Sequence, residues 1–424
     1  MPKGILDGIR VLDLTVYQLG PVNTMMLALM GADVIKIEPP TGEPGRINVR
    51  GRMVHGGQGK GFGGIDLSAY FEANNHCKRS IVLDLTKPRA MEILYQLVAK
   101  SDVFAQNIRP GSAEKLGAGY ETLKKYNPKL IYYTGTSFGT KGPDGRKPGM
   151  DASGIARSGW SYLAPTGNDP PVPIWSLSGS SDQMGAIIGA FTIVSALLAR
   201  ERYGIGQYVE TSHLTASMWL LQCRGQTSYY MKGSMFNEMR GASRETTANT
   251  IFNHYKCKDG EWISLVNPVQ RHWAPVCAAL GIPDSLRDDP RFVDPRARRD
   301  NARAAVKLLD DYFARWTRDE FIKRCEGKDI NWEKVQKWDD LPTDPQVIAN
   351  EYTSKYTHDL TGETYDVVNL PAKFTETPAM RLGRAPLLGE HTAEILTDLL
   401  GYKKEDVPRL IEEIGKPVPT FGEA

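Results

Sequence analysis

The chain is short of the residues that staple or metallate proteins: it has five cysteines and seven histidines among 424 residues. Cys77, Cys223, Cys257, Cys277 and Cys325 are odd in number, widely spaced and free of any C-x-x-C pair. Neither a disulfide framework nor a zinc site is expected from them, and reduced thiols are. No His–Glu–His spacing supports a metal. An excess of one charge is also missing. Lys and Arg number 52 against 50 Asp and Glu, a net +2, which excludes the basic footprint of a nucleic-acid binder. Internal repeats and low-complexity tracts are absent. Residues 1–7 contain no apolar signal core, so a cytoplasmic location is expected. The longest uncharged apolar stretch, Gln183–Ala199, falls short of a comfortable membrane span and contains Gly185, Gly189 and Ser195. It reads as a buried core helix, with no membrane partner.

What the chain has in abundance is glycine, 41 residues, outside any collagen period. Such a content asks for tight turns and close backbone approaches. The length suggests roughly two to four domains. In the first third, strand and helix patterns alternate. Ile9–Leu14, Ala32–Glu38, Ser80–Leu85, Asp102–Gln106 and Leu130–Thr134 read as strands. Val22–Met30 and Pro88–Lys100 read as helices, with shorter ones at Ser112–Leu116 and Tyr120–Lys125. Alternation of this kind predicts an α/β fold with a parallel sheet. After an irregular stretch, Ser137–Pro173, come the long helix following Asp182, a strand Tyr208–Thr211 and a helix Leu214–Cys223. From about Thr227 the pattern changes to a hairpin turning at Asp259-Gly260, then charged helices at Arg303–Trp316 and Asp319–Cys325.

Two glycine strings invite a motif reading and fail on context. Gly59–Gly64 matches G-x-G-x-x-G, but no strand precedes it and no helix follows, as a dinucleotide site requires. A loop carrying Arg46, Arg50, Arg52 and Lys60 is expected there, able to meet an anionic ligand. Gly135–Gly139 matches G-x-S-x-G after a strand, which would make Ser137 a hydrolase nucleophile. The residues that follow are turn formers rather than the required helix.

Asp182 carries more information. It stands between the small polar run Ser178–Ser181 and the apolar helix, in an N-cap position. Helix N–H groups favour its ionised form, and a carboxylate against apolar walls can act as a covalent nucleophile. Gly185 and Gly189 would let a backbone or a ligand approach closely. Asp151 reads as a cap for a helix over Ala152–Gly159. Gln18 lies in the loop after the first strand, where open α/β sheets bind ligands. His391 reads as a cap or packing residue.

Taken together, these pieces resemble one family. Gly8–Thr15, Gln18–Pro21, Gly31–Pro40, Lys78–Leu85, Asn107–Gly111, Ser137–Gly139 with Gly142-Pro143, Gly204–Gln207 and Arg384–Thr392 are similar, in order, to the signatures of the class III CoA-transferases. Those include formyl-CoA, crotonobetaine and benzylsuccinate CoA-transferases, and the α-methylacyl-CoA racemases. The matches span residue 8 to about 400. The resemblance implies a large Rossmann-like domain built from both chain ends, 1–226 and 336–424. A smaller α+β domain at 227–335 and an interlocked dimer are also implied. It implies that Asp182 is the nucleophile, forming an aspartyl mixed anhydride with the donor acyl group, with Gln18 and Asp151 beside it. It matches Leu83, Asn107, Arg109 and Lys115 to segments that contact CoA. No permanently bound cofactor is implied; a CoA thioester is the substrate, a carboxylic acid its partner.

Departures narrow the choice. The racemases place a proton-carrying His where this chain has Met150, so racemisation is not expected. No glycine run occurs around Arg240–Asn249, which disfavours formate and oxalate. Arg46, Arg50 and Arg52 would suit a dicarboxylate. Trp160, Tyr162, Trp175, Tyr229 and Tyr230 would wall an aromatic or apolar acyl group. Succinyl-CoA as donor and a benzylsuccinate-like acid are the expectation. The alternatives are a partner-dependent or noncatalytic subunit of a heteromer, and a serine hydrolase using Ser137.

Overall fold

The computed structural model describes residues 4–46, 68–162, 177–232, 243–380 and 382–418. The Gly59–Gly64 string and Arg50, Arg52, Lys60 and Trp175 lie outside them. One compact unit is drawn from within Met1–Ser161, Pro173–Gly225 and Gln346–Ala424, the other from within Tyr162–Val172 and Gln226–Pro345.

The first unit is built on a six-stranded sheet, all of whose pairs are parallel. Its strands are β1 (Arg10–Leu14), β2 (Asp33–Glu38), β3 (Arg79–Val82), β4 (Val103–Gln106), β5 (Ile131–Thr136) and β6 (Gln207–Ser212). The central strands are apolar or small at nearly every position because both faces are covered. Leu12, Ile35, Ile37, Ile81, Phe104 and Tyr132 face one core and Val11, Val34, Val103, Ala105, Ile131 and Tyr133 the other. The helices between them are α1 (Leu19–Leu29), α2 (Ala69–Asn75), α3 (Pro88–Ala99), α4 (Ser112–Lys115), α5 (Tyr120–Leu123), α6 (Asp151–Arg157) and α7 (Ser180–Tyr203). Two more, α8 (His213–Leu220) and α9 (Gln222–Tyr230), follow β6.

The spatial order is β3-β2-β1-β4-β5-β6. The order reverses between β1 and β4, so their carboxyl ends open a crevice of the kind where doubly wound sheets bind ligands. The loops leaving β1 and β4 are therefore the first place to look for a site.

α7 crosses this sheet on a face of small residues. Gly185 and Gly189 do make a close approach, but to α1. A side-chain carbon on Gly185 would stand 2.6 Å from Leu19 Cδ1, and one on Gly189 would stand 2.6 Å from Asn23 Nδ2. Only half of α7 is core, which corrects the expectation of a fully buried helix. Ala186, Ala190 and Ile193 are buried, whereas Ile187, Phe191 and Leu198 are exposed. It is the one helix among the described residues long and apolar enough to cross a membrane. Its buried small-residue face on α1 is that of a core helix.

The second unit holds the antiparallel strands β7 (Phe252–Lys256), β8 (Trp262–Val266) and β9 (Trp332–Lys334). The hairpin between the first two turns at Gly260, whose φ of +84° suits glycine alone. The strands pack on the helices Trp273–Leu280, Ala302–Phe313 and Arg318–Cys325 through Tyr255, Ile263, Val276, Leu309, Phe313 and Phe321. Cys257, Cys277 and Cys325 are buried, free thiols. Near the C-terminus, Thr353–Thr357 and Thr364–Val368 form a separate hairpin.

Candidate active site

On the β1 side of the crevice lies a buried charge network. Asp13, at the end of β1, accepts hydrogen bonds from the Thr15 N–H (2.9 Å), the Thr24 hydroxyl (2.8 Å) and Lys78 Nζ (2.8 Å). Lys36 on β2 donates to the Thr15 carbonyl at 2.9 Å. Burial alone would raise the Asp13 pKa, but Lys36 and Lys78 outweigh it and hold the carboxyl below its ordinary range. Burial pushes Lys78 down to about 8 against the pull of Asp13. Asp13, Lys36 and Lys78 belong to motifs Gly8–Thr15, Gly31–Pro40 and Lys78–Leu85. Their positions explain why charged residues interrupt otherwise apolar strands.

Above that network the β1–α1 loop is clamped. Val16 donates its N–H to Asn107 Oδ1 (2.7 Å) and accepts from Asn107 Nδ2 (2.9 Å). Asn107, expected to touch CoA, thus spends its amide tying the two sides of the crevice together. Tyr17 adopts φ +64°, a left-handed conformation uncommon for a bulky residue. Its N–H is held by Glu43 at 3.1 Å. This bend delivers Gln18 to the start of α1. There its amide faces Gly179: a carbon added to Gly179 would lie 3.7 Å from Gln18 Nε2.

Gly179 caps α7 with φ +86°. Asp182 is therefore not the cap; it lies in the first turn. The capping carboxylate comes instead from Asp151, at the start of α6. Asp151 Oδ2 accepts from Gly179 N at 2.8 Å, and Oδ1 accepts from Ser181 N (2.9 Å) and Asp182 N (3.0 Å). Asp151 was expected to cap its own helix. It caps a different one because the two helix starts meet, and three otherwise orphaned N–H groups outcompete the local ones.

A further residue escaped sequence reading. His213 Nε2 stands 2.9 Å from Asp182 Oδ1. The side chain of Asp182 is 17% exposed and that of His213 11%. His213 opens α8 directly after β6, with the Ser212 hydroxyl capping that helix through Thr215 N at 3.1 Å. Its only sequence signal was its place at a strand-to-helix junction on the carboxyl edge of the sheet. Gln18, Asp151, Asp182 and His213 thus come from the starts of α1, α6, α7 and α8, and all belong to the first unit.

Other expected residues fall elsewhere. Arg46 does not project toward a ligand. It is fully buried and bidentate on Glu38 (2.6 and 2.7 Å), donates to the Pro386 carbonyl at 3.0 Å, and lies 3.7 Å over the Phe71 ring. The fork geometry of a guanidinium and the buried Glu38 account for this. Leu83 is buried in the core, so only its backbone can face a ligand. Arg109 and Lys115 are exposed beyond the carboxyl end of β4, on either side of Gly111, whose φ is +84°. Ser137 is buried and followed by turns, not a helix. Met150 is exposed just before Asp151. His391 accepts the Ser80 N–H at 3.2 Å, a packing role.

A family model described as CoA-transferase family III matches residues 6–392. The chain is 30% identical over 405 residues to the (R)-2-hydroxy-4-methylpentanoate CoA-transferase of Clostridioides difficile, covering 95% of this chain and 97% of that protein. It is 32% identical over 399 residues to the succinyl-CoA:mesaconate CoA-transferase of Haloarcula hispanica, covering 93% and 96%. Among solved structures, a CAIB/BAIF family protein from Brucella suis aligns with a TM-score of 0.80 at 26% identity, covering 94% of this chain and all of that one.

Proposed function

Because the chain belongs to CoA-transferase family III and transfers CoA between an acyl-CoA and a carboxylate, we propose that it does so through a covalent anhydride on Asp182. The observation that carries this reading is the Asp182 carboxylate, largely buried, with its backbone held by Asp151 and one oxygen held by His213. Its other oxygen attacks the donor thioester, releasing CoA thiolate and forming the acyl-aspartyl anhydride. Thioester and anhydride are both activated, so little free energy is lost between steps. The enzyme's work is orientation and exclusion of water. Gln18, beside the α7 start, orients the thioester. Arg109 and Lys115 offer charge to the CoA phosphates, while Asn107 holds the crevice that the thioester enters.

Succinyl-CoA is the proposed donor, in line with the relative named for it. Met150 has no proton to give, so racemisation is excluded from the proposal. Arg46 is committed to Glu38 and is not a receptor for the acid. A subunit without its own activity is disfavoured by the intact, capped Asp182. Exposed Ile187, Phe191 and Leu198 on α7 and Met218, Trp219 and Leu220 on α8 support a dimer, with a second copy or a sister subunit over this face. The two compact units correspond, in this reading, to a large domain closed by both chain ends and a smaller inserted one. Cytoplasmic location is part of the same proposal.

The test is chemical. Hydroxylamine added with succinyl-CoA to the purified chain modifies Asp182, and Asp182→Ala abolishes both labelling and transfer. Labelling of another residue, or transfer by the alanine variant, overturns the assignment. A panel of dicarboxylic and 2-hydroxy acids, read by chromatography of the CoA esters, then identifies the acceptor.

A further inference from the structure

We propose that His213 is a positioning residue for Asp182. It holds Oδ1 as the carbonyl oxygen of the covalent intermediates and stabilises the negative charge that develops there. The inference rests on the Asp182 reading above and adds a residue and a step to it.

Three observations carry the inference. First, His213 Nε2 is 2.9 Å from Asp182 Oδ1, while no hydrogen bond from the described residues reaches Oδ2. The two oxygens are therefore unlike: one is held, the other is free to attack. Second, His213 Nδ1 is buried and has no hydrogen-bond partner among the described residues. A buried N–H without an acceptor costs more than a buried lone pair that still accepts nothing polar, so the hydrogen-bond network assigns the proton to Nε2. Nε2 is then the donor aimed at the carboxylate. Third, the base of the His213 side chain and its backbone are packed closely against α6. A carbon on Gly154 would lie 2.4 Å from His213 Cβ and 2.6 Å from its carbonyl carbon. α6 thus packs its glycine against His213 while Asp151, three residues earlier, fixes the Asp182 backbone. One short helix sets both the carboxylate and the donor that faces it.

The step assisted is attack on the aspartyl carbon. In the anhydride, Oδ2 is bonded to the donor acyl group and Oδ1 is the carbonyl oxygen. CoA thiolate adds to Asp182 Cγ, and the π pair of Cγ=Oδ1 moves onto Oδ1. That pair returns as the Cγ–Oδ2 bond breaks, and the donor acid leaves as a carboxylate. An aspartyl thioester remains. The acceptor carboxylate later adds to the same carbon, charge again collects on Oδ1, and the thiolate leaves. No proton changes hands and nothing is oxidised or reduced. A fixed N–H at the developing oxyanion, largely shielded from water, is the arrangement that lowers such barriers, by about 100-fold or more per donor.

The test compares His213→Gln, whose amide can reach the Nε2 position, with His213→Asn, whose amide reaches only the Nδ1 position. With the purified chain, succinyl-CoA and an accepted acid, Asn lowers kcat about 100-fold with KM for succinyl-CoA changed by less than about twofold. Gln restores at least about tenfold of that loss. Rapid quenching and mass spectrometry of the Asp182 peptide show the CoA adduct forming correspondingly slowly in the Asn variant. His213→Leu serves as a third variant if Asn does not fold. Equal losses in Gln and Asn would mean packing alone, and an Asn variant as fast as wild type would mean no role; either overturns the inference. If wild-type Asp182 is never labelled, the nucleophile reading has failed instead, and the two failures are thereby distinguished.

Discussion

The Asp151→Asn substitution is the sharpest probe of how the site is held. The aspartate accepts three backbone N–H groups at 2.8, 2.9 and 3.0 Å from the first turn of α7. Asparagine keeps the volume and one acceptor. With its oxygen toward Ser181 and Asp182, its NH2 group meets the Gly179 N–H, donor against donor; flipped, it faces two donors. The charge-assisted bond to Gly179 is lost, worth about 1.5–3 kcal/mol. The interaction of the carboxylate with the helix N-terminus goes too, adding about 0.3–1 kcal/mol. A loss near 3 kcal/mol is expected in urea denaturation. Because Gly179 and Asp182 share this anchor, the proposed nucleophile shifts with it, and a displacement near 1 Å costs about 100-fold in kcat. The assay is paired: denaturation midpoints and steady-state transfer on the same preparations. A variant within about 0.5 kcal/mol of wild type and with unchanged kcat would refute the anchoring role.

Other consequences follow from charges buried away from the reaction. Arg46→Met strands Glu38 in the core and lowers stability by about 3–5 kcal/mol; a raised KM for the acid with unchanged stability would instead restore a ligand role. His76 is pushed down to about 4 by burial, while the Glu72 carboxyl beside it is pushed up to about 7, also by burial. The lowered histidine stabilises the fold above its unfolded pKa of 6.5, and this contribution is lost as pH falls toward 4. The raised glutamate acts oppositely, stabilising below 4.5 and ceasing to do so as pH rises through 7. His76→Gln removes the first term, worth about 3 kcal/mol across its window. Urea midpoints at pH 7, 5.5 and 4.5 should fall less steeply in the variant, and parallel slopes would contradict the burial argument.

The alternation of strands and helices was readable in the chain because parallel strands covered on both faces leave a continuous apolar signal. β1, β2, β4, β5 and β6 appear within two residues of their expected bounds. β3 ends three residues earlier than its pattern, at Val82, where the chain turns toward α3. The short α2, the extra α9 and the hairpin Thr353–Val368 were not singled out, since α2 buries polar Glu72, Asn74 and Asn75 and the hairpin strands are rich in polar, half-exposed residues.

Asp182, Asp151 and Gln18 could be singled out along the chain because each marks a local event: the start of a helix or the end of a strand. What they do to one another is a different kind of fact. Asp151 caps α7 from 28 to 31 residues away, and His213 meets Asp182 across another 31. No local period or propensity encodes such a meeting; it follows from α6, α7 and α8 converging at one edge of the sheet. The same holds for Arg46, whose sequence setting suggested a loop cation and whose tertiary setting is a buried fork on Glu38, beneath Pro386 and over Phe71. The sequence alone determined the class of fold, because backbone preference and burial pattern are written locally, and it marked Asp182 as a helix-start carboxylate that the family resemblance implies is the nucleophile. Only the tertiary structure decided which oxygen of Asp182 is held, by what, and which charges serve the core, because those depend on chain segments that come together only after folding.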